Sequence, residues 1–351
     1  MAISRRQFLY FWGGLSVLSL ASCVGDRGKN NTVSNQTLVE AVNVPRKSTV
    51  RIVVISDLNS QYGSTTYEAE VDKGIAMIRD WKPDLVLCGG DMVAGQKRSL
   101  TRSQINDMWE GFDRHISAPL RKAKIPFGFT IGNHDASGAL SGTQFIFAEE
   151  RKLATAYWQN PAHDTGLNFL DRDNFPFNYS FTADNIFYLV WDASTHLISG
   201  EQLQWAGKSL NSQVARRAKM RIAIGHLPLY GIAIGRDKPG NFLAGGESLR
   251  QFLEKNGVHT YISGHAHAYY PGKRGQLQLL HTGALGSGPR RLITGDLPPV
   301  KTLTIVDINL DSQDTVYTTY NMKTMELIDI QTLPRFIDTL NGKVLRRDIE
   351  A

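Results

Sequence analysis

The sequence predicts an α/β protein of one domain with two β-sheets. From Val50 onward, short apolar runs alternate with helical stretches, the pattern of a sheet covered by helices. The last third is rich in strands, in "LQLLHTGALGSGPRR", "KTLTIVDINL" and "DTVYTTYNM", which predicts a second sheet packed on the first. No boundary signal separates the two parts.

The elements follow in order. "VRIVVISDLNSQYGS" (50–64) is a buried strand that breaks off at Ser56, Asp57 and Asn59. "GIAMIRDWKP" is an amphipathic helix stopped by Pro83, "DLVLCGGD" a buried strand, "QINDMWEGFDRHISAPLRKAK" a longer helix and "IPFGFTIGNHD" a further strand. "FNYSFTADNIFYLVWDAS" reads as a hairpin turning at "TADN". "SGEQLQWAGKSLNSQVARR" is a helix with Ser199 as its cap. "MRIAIGH" and "VHTYISGHAH" are buried strands, with the helix "ESLRQFLEKNG", ended by Gly257, between them.

A chain of 351 residues with 42% hydrophobic and 21% charged residues has ordinary globular usage and a packed core over most of its length. Its formal charge of +6 is scattered, with no block of five like charges. That pattern fits a solvated surface with a mild preference for anions, and no nucleic-acid partner is expected.

The first residues are excluded from the fold. "MAISRRQFLYFWGGLSVLSLASC" has a basic start, an apolar stretch from Leu9 to Leu20 and small residues before Cys23, the layout of a cleaved export signal. "SRRQFL" resembles a twin-arginine signal and "LASC" resembles the lipobox of bacterial lipoproteins. Those resemblances imply an exported lipoprotein, anchored through lipidated Cys23 on the extracytoplasmic side of a bacterial membrane. Residues 1–22 are the signal, 23–48 a polar tether, 49–335 the folded domain and 336–351 a C-terminal tail. With Cys23 lipidated, Cys88 has no partner and reads as a core residue.

Five predicted strands end in metal-capable residues: Asp57 with Asn59, Asp91 in "GGDMVA", Asn133, His134 and Asp135 in "GNHD", His226 in "GHLP", and His265 with His267 in "GHAH". Strand ends are where loops from several strands converge on a ligand. Carboxylate, amide and imidazole together suit Zn, Mn or Fe better than Ca. Two such ions close together clamp an in-line displacement at phosphorus. The glycines before Asp91, Asn133, His226 and His265 let each strand turn sharply as it ends.

The chain resembles the calcineurin-like metallophosphoesterases, near the purple-acid-phosphatase-like branch, over roughly Val50 to Leu310, with "GNHD" and "GHAH" as its most specific motifs. The resemblance implies a four-layer sandwich, two facing mixed β-sheets flanked by helices, and a centre of two divalent or trivalent ions (Mn, Fe or Zn). It makes Asp57 and His267 ligands of the first metal, Asp91 the bridge, and Asn133, His226 and His265 ligands of the second. His134 would stand beside the substrate phosphate, held by Asp135. A metal-bound hydroxide would attack a small phosphate ester, a monoester in the favoured reading and a diester in the alternative.

Asn59 departs from the family pattern, which has Asp-X-His here, and the tyrosine that purple acid phosphatases place three residues after the second aspartate is Ala94. Either Asn59 ligates through its amide oxygen, which favours Mn, Mg or Fe over Zn, or the first site is poorly filled and the chain is an impaired enzyme acting as a binding protein. Retention of every other donor favours Asn59 as a ligand. His115, His163, His196 and His259 read as structural, and His281 as a residue close to the constellation. Tyr62 lies close enough in sequence to contribute to the first metal site, with a loop aromatic packed on the domain as the plainer reading; Tyr230 and Tyr269 are candidate pocket residues, and Arg290 and Arg291 in "GSGPRR" candidate contacts for an anion.

Overall fold

Val50–Ile55 (β1) is buried along its whole length because it lies at the centre of a sheet with both faces covered. It pairs in parallel with Leu85–Cys88 (β2), which pairs in parallel with Phe127–Phe129 (β3). The computed structural model describes residues 48–350; the segment expected as an export signal, Cys23 and most of the segment expected as a tether lie outside the described residues.

Two short strands, Leu140–Ser141 (β4) and Gln144–Phe145 (β5), form an exposed hairpin. The nine-stranded sheet begins at its edge with Asn168–Asn174 (β6), Asn178–Ala183 (β7) and Ile186–Val190 (β8). The β7–β8 turn uses Asp184 and Asn185, both at positive φ (50° and 60°), as a two-residue hairpin turn demands. Met220–Ile224 (β9), Thr260–Ser263 (β10) and Leu277–His281 (β12) extend β8 in parallel. Tyr270–Arg274 (β11) runs antiparallel beside β12. Thr302–Ile308 (β13) and Thr315–Asn321 (β14) go back to the first sheet, β13 antiparallel to β1 and β14 antiparallel to β13 at the edge.

The strand-rich last third therefore does not make a second sheet of its own, contrary to expectation. β12 completes the parallel run of one sheet and β13 and β14 the edge of the other, because each finds its pairing partners among earlier strands rather than its neighbours in sequence. The two sheets face each other. Ile52, Val54, Val306 and Ile308 of one meet Ile222, Ile262 and Leu280 of the other around a cavity of only about 10 Å³, the close packing of a protein interior.

The segment expected as a C-terminal tail also differs. Phe336–Thr339 (β15) and Gly342–Arg346 (β16) form a hairpin, and β16 joins the nine-stranded sheet alongside β11. Arg346 is buried and donates to the carbonyls of Leu333 and Ile330 while pairing with Asp348. Four- and five-residue strands around "LNG" carry too little periodicity to be read ahead of their partner.

Among the described residues there are eight α-helices. Ala69–Trp81 (α1) buries Val71, Ile75 and Ile78 and stops with Lys82 at φ 48°, just before Pro83. Arg102–Phe112 (α2) opens on a capping box between Thr101 and Gln104. The long helix expected over 104–124 is interrupted, since Asp113–Ser117 is π-helical and leads into Ala118–Lys122 (α3). Pro119 has no N–H to continue the ladder, which accounts for the slipped turn before it. Asn133–Ala136 (α4) is a single turn, and Ala148–Gln159 (α5), which the sequence pattern did not reveal, stacks Trp158 on Phe129 with ring centroids 3.9 Å apart.

Gly200–Leu210 (α6) is capped by Ser199, whose hydroxyl accepts from the Gln202 N–H. It ends at Asn211, and a second cap at Ser212 starts Gln213–Arg217 (α7), so two polar side chains competing for the backbone divide the expected single helix. Gly246–Lys255 (α8) is followed by Gly257 at φ 69°, the predicted stop. Cys88 is buried and free, as expected. Among the described residues no helix is long and apolar enough to cross a membrane.

Candidate metal centre

The five strands whose ends were singled out come from both sheets, and all five are parallel strands: β1, β2 and β3 of one, β9 and β10 of the other. Their loops interlock through the backbone. The Asp57 N–H donates to the Gly90 carbonyl, Leu58 N–H to Asp91 and Leu285 N–H to Ser56, each at 2.9 Å.

Four of the candidate ligands adopt a conformation that L-residues avoid. Asp57, Asp91, His265 and His267 have φ of 52°, 55°, 61° and 52°. Strain of this kind, about 1–2 kcal/mol per residue, collects at functional sites where the surroundings hold it in place. The glycines before the ligands do a different job from the one expected. Gly90 has a positive φ, but Gly132 and Gly264 are needed for room: a Cβ on Gly132 would stand 2.2 Å from Asp91 Oδ1, and one on Gly264 2.2 Å from Ser56 Oγ.

The donor atoms converge. One ligand atom from each of Asp57, Asp91 and His226 lies within 4.8 Å of the others. His226 Nε2 and His265 Nδ1 are each 2.9 Å from Asn133 Oδ1 and 3.3 Å from one another. His267 Nε2 is 3.1 Å from Asp57 Oδ1, and His226 Nε2 is 3.3 Å from Asp91 Oδ2, a buried oxygen that accepts no hydrogen bond.

The outer ring nitrogens set the tautomers. His226 Nδ1–H donates to the Gly89 carbonyl at 2.7 Å and His267 Nδ1–H to Gly288 at 2.9 Å, which leaves the Nε2 lone pairs pointing at carboxylate and amide oxygens. Acceptors facing acceptors in a buried place repel unless a cation sits among them, so this donor set fits bound metal. His267 sits against Asp57, Asn133 against His226 and His265, and Asp91 against His226.

The electrostatics of the metal-free chain show the same demand for a cation. Burial opposes a charge on His226, yet the Asp91 and Asp57 carboxylates outweigh it and hold the imidazole up at about 9. Burial, the charge of His226 and that of Arg236 push His265 well below the usual histidine range. Burial works against the Asp57 carboxylate, but His267 beside it keeps its pKa low.

His134 stands at the rim, half buried. Its backbone N–H donates to Asp91 Oδ1 at 2.8 Å, its ring Nδ1 is 3.1 Å from the Gly95 carbonyl, and Tyr62 lies against the ring at 5.3 Å between centroids. Asp135 does not hold that ring, contrary to expectation. Its carboxylate accepts four backbone N–H groups, from Asp91, Met92, Val93 and Gly132, and so it fixes the loop that carries Asp91. Burial and the Asp91 charge push the Asp135 carboxyl up to about 7, and a cation bound at Asp91 would cancel the second of these.

Asn59 lies on the same loop. Its backbone N–H donates to the Asp91 carbonyl and its Nδ2 to Val93 at 3.3 Å, which leaves its amide oxygen for a ligand.

Two residues that sequence reasoning missed orient Asn133. Gln96 Oε1 accepts from Asn133 Nδ2 at 2.7 Å, which turns the Asn133 oxygen toward the histidines. Gln96 itself is at φ 66°, its N–H held by the buried Glu150 carboxylate. The only local signal was the unusual backbone at Gln96, which is invisible in sequence.

The other candidates are placed elsewhere. Tyr230 donates to Glu247 at 2.8 Å, and Tyr269 is buried beside Thr319 and Tyr317. His196, read as structural, lines a cavity of about 1050 Å³ that reaches Asn133, Gln96 and His265 at one end and Leu140, Phe145 and Trp205 away from it. His115, His163 and His259 bond to Asp72, the Tyr157 carbonyl and Thr260. His281 is buried at the end of β12, its Nδ1 without a partner.

A domain of two facing mixed sheets, with carboxylate, amide and imidazole donors gathered at their strand ends, defines a metallohydrolase. The calcineurin-like phosphoesterase profile matches residues 50–269, and the chain belongs to that family. Family membership implies a metal-dependent phosphoric ester hydrolase with a dinuclear centre. No curated protein matches it.

Among solved structures it is similar to purple acid phosphatase PPD1 from yellow lupin (Lupinus luteus), with 16% identity and a TM-score of 0.57 over 80% of this chain and 52% of that one. This chain thus spans about half the length of the lupin protein. A dimetal phosphatase from Danio rerio is similar at 14% identity and a TM-score of 0.50, over 77% of this chain and 95% of that one. GAP50, described as the anchor in the inner membrane complex of Plasmodium, is similar at 13% identity and 0.52, over 80% and 87%.

Proposed function

We propose that the chain is an exported, lipid-anchored phosphomonoesterase whose two ions are Mn, Fe or Zn, with Asp57, Asn59, Asp91 and His267 around the first and Asp91, Asn133, His226 and His265 around the second. The observation that carries the reading is the set of lone pairs from both sheets that face one another across the cluster. The ions, when bound, supply charge neutralisation and lower the pKa of a water that attacks phosphorus.

The chain's own residues do the rest. Asp91 Oδ1 takes the His134 N–H, so the ligand loop and the rim histidine move as one unit. With Nδ1 on the Gly95 carbonyl, His134 offers Nε2 to the substrate, where its imidazolium form donates a proton to the departing alkoxide. Gln96 and Glu150 hold the Asn133 amide in the orientation that ligation requires. Arg236 and Arg290 give the neighbourhood of the cluster a cationic character, which supports a monoester dianion over a diester monoanion. The export route rests on the "SRRQFL" and "LASC" segments.

Elemental analysis of the full chain, with hydrolysis of p-nitrophenyl phosphate and its bis-ester, tests the reading. Two metals per chain and a preference for the monoester are expected. A preference for the bis-ester would make the chain a diesterase. One metal or none, with no turnover after Mn, Fe or Zn is restored, would make it a binding protein on this fold. Lipid labelling that survives Cys23→Ala would overturn the anchor.

A further inference from the structure

Two arginines stand beside the metal ligands with no carboxylate partner among the described residues. Arg236 Nη1 is 3.0 Å from Asn241 Oδ1 and 3.3 Å from His265 Nε2, and its Nε is buried without a partner. Arg290 follows the "GSG" turn. Its backbone N–H donates to the His267 carbonyl at 2.9 Å, its Nη1 reaches only the Ile234 carbonyl at 3.5 Å, and its Nε too is buried without a partner. Arg290 Nη1 would stand 3.0 Å from a Cβ on Gly235, the residue before Arg236, and burial and the charge of Arg236 both lower the pKa of Arg290, so the two side chains stand near one another. Arg291, its neighbour in sequence, turns away to the carbonyls of Asp296 and Leu297.

Guanidinium groups that are partly desolvated and unpaired are costly unless an anion completes them. Their position says which anion. His265 presents Nδ1 to Asn133 and His226, and Arg236 meets the opposite ring nitrogen, one imidazole further out than the ligand cluster. Arg236 also lines the 1050 Å³ cavity that leads away from Asn133 and His265, a space the size of a whole-ligand pocket and far larger than one phosphate needs.

Resting on the phosphoesterase reading, we propose that Arg236 and Arg290 form an anion subsite beside the metal centre that binds a second phosphate carried on the leaving group. The preferred substrates are then bisphosphorylated compounds, of which one phosphate is cleaved at the metals while the other is held by the arginines. A bidentate contact from each guanidinium to phosphate oxygens supplies the recognition.

The test is calorimetric titration of the full chain, as purified, with methylenediphosphonate and with methylphosphonate, neither of which is hydrolysed. The quantity read is the ratio of their affinities. Arg236→Gln is expected to lower the preference for the diphosphonate about tenfold, Arg290→Gln to lower it in the same direction, and Arg236→Lys, which keeps the charge and loses the fork, to lower it by a smaller factor. Chelation of the metals by the second phosphonate is common to all four proteins and cancels in the comparison. Should Arg236→Gln not fold, Arg290→Gln and Arg236→Lys measure the same ratio.

An unchanged ratio overturns the subsite. An equal loss for both probes also overturns it, because it would place Arg236 on the phosphate at the metals. The phosphoesterase reading fails separately: a ratio that responds to the variants without turnover of any ester leaves the subsite standing and removes the reaction.

Discussion

Replacing Asp135 with asparagine should cost the chain its metals before it alters any proton transfer. The carboxylate accepts N–H groups from Asp91, Met92, Val93 and Gly132 at 2.9, 2.7, 2.9 and 2.8 Å, two on each oxygen. Asparagine keeps one oxygen and turns an NH2 group toward the other two donors. Hydrogen bonds to a charged group contribute about 1.5–3 kcal/mol each, so the loss of two is worth roughly 3–6 kcal/mol. At a few degrees per kcal/mol in a large domain, the melting temperature falls by on the order of 10 °C.

The loop so loosened carries the Asp91 carboxylate at a strained φ of 55°, a torsion that its surroundings must hold in place. Scanning calorimetry and metal content per chain, measured on Asp135→Asn and the wild type, are the assays. Metal content well below the wild type is expected, with the loss of turnover following it. If the variant instead kept its melting temperature and both metals and lost only kcat, Asp135 would belong with the His134 proton, and the loop-holding argument would be refuted.

Gly132→Ala places a methyl 2.2 Å from Asp91 Oδ1, so the Asp91 carboxylate must shift and metal occupancy should fall by half or more; full occupancy by elemental analysis would show that the loop gives way cheaply. Asn59→His exchanges an amide for an imidazole and should raise the affinity for Zn relative to Mn by about tenfold in a competition titration, whereas an unchanged ratio would remove Asn59 from the ligand set. His281 is buried, and burial pushes its pKa down to about 3 from 6.5. The unfolded chain therefore takes up a proton that the folded chain refuses, and stability falls as the pH drops below 6.5. By linkage this amounts to about 2 kcal/mol at pH 5. His281→Leu should flatten the curve of unfolding free energy against pH by that amount in urea titrations, and parallel curves for the two proteins would contradict it.

Much of this protein was determined by its sequence. Apolar runs that stop on Asp57, Asp91, Asn133, His226 and His265 mark strands and their functional ends together, because a buried strand must be apolar on both faces and its loop is where polar side chains can gather. Helix ends written in local chemistry, at Ser199 and Gly257, stood as predicted. Where tertiary partners decide, local pattern was silent. The β15–β16 hairpin becomes a strand pair only against β11, and β13 lies beside β1 from the opposite end of the chain.

The same division runs through the site. The ligand types were visible in sequence, and so was Arg290 as a candidate anion contact, but the torsions of Asp57, Asp91, His265 and His267, the transfer of Asp135 from the histidine to the Asp91 loop, the Gln96–Glu150 support of Asn133 and the approach of half-buried Arg236 to His265 were not. Residue type states what an atom can bind. Which atom meets which is set by the packing of two sheets whose strands are far apart in the chain, and that packing exists only once the fold is complete.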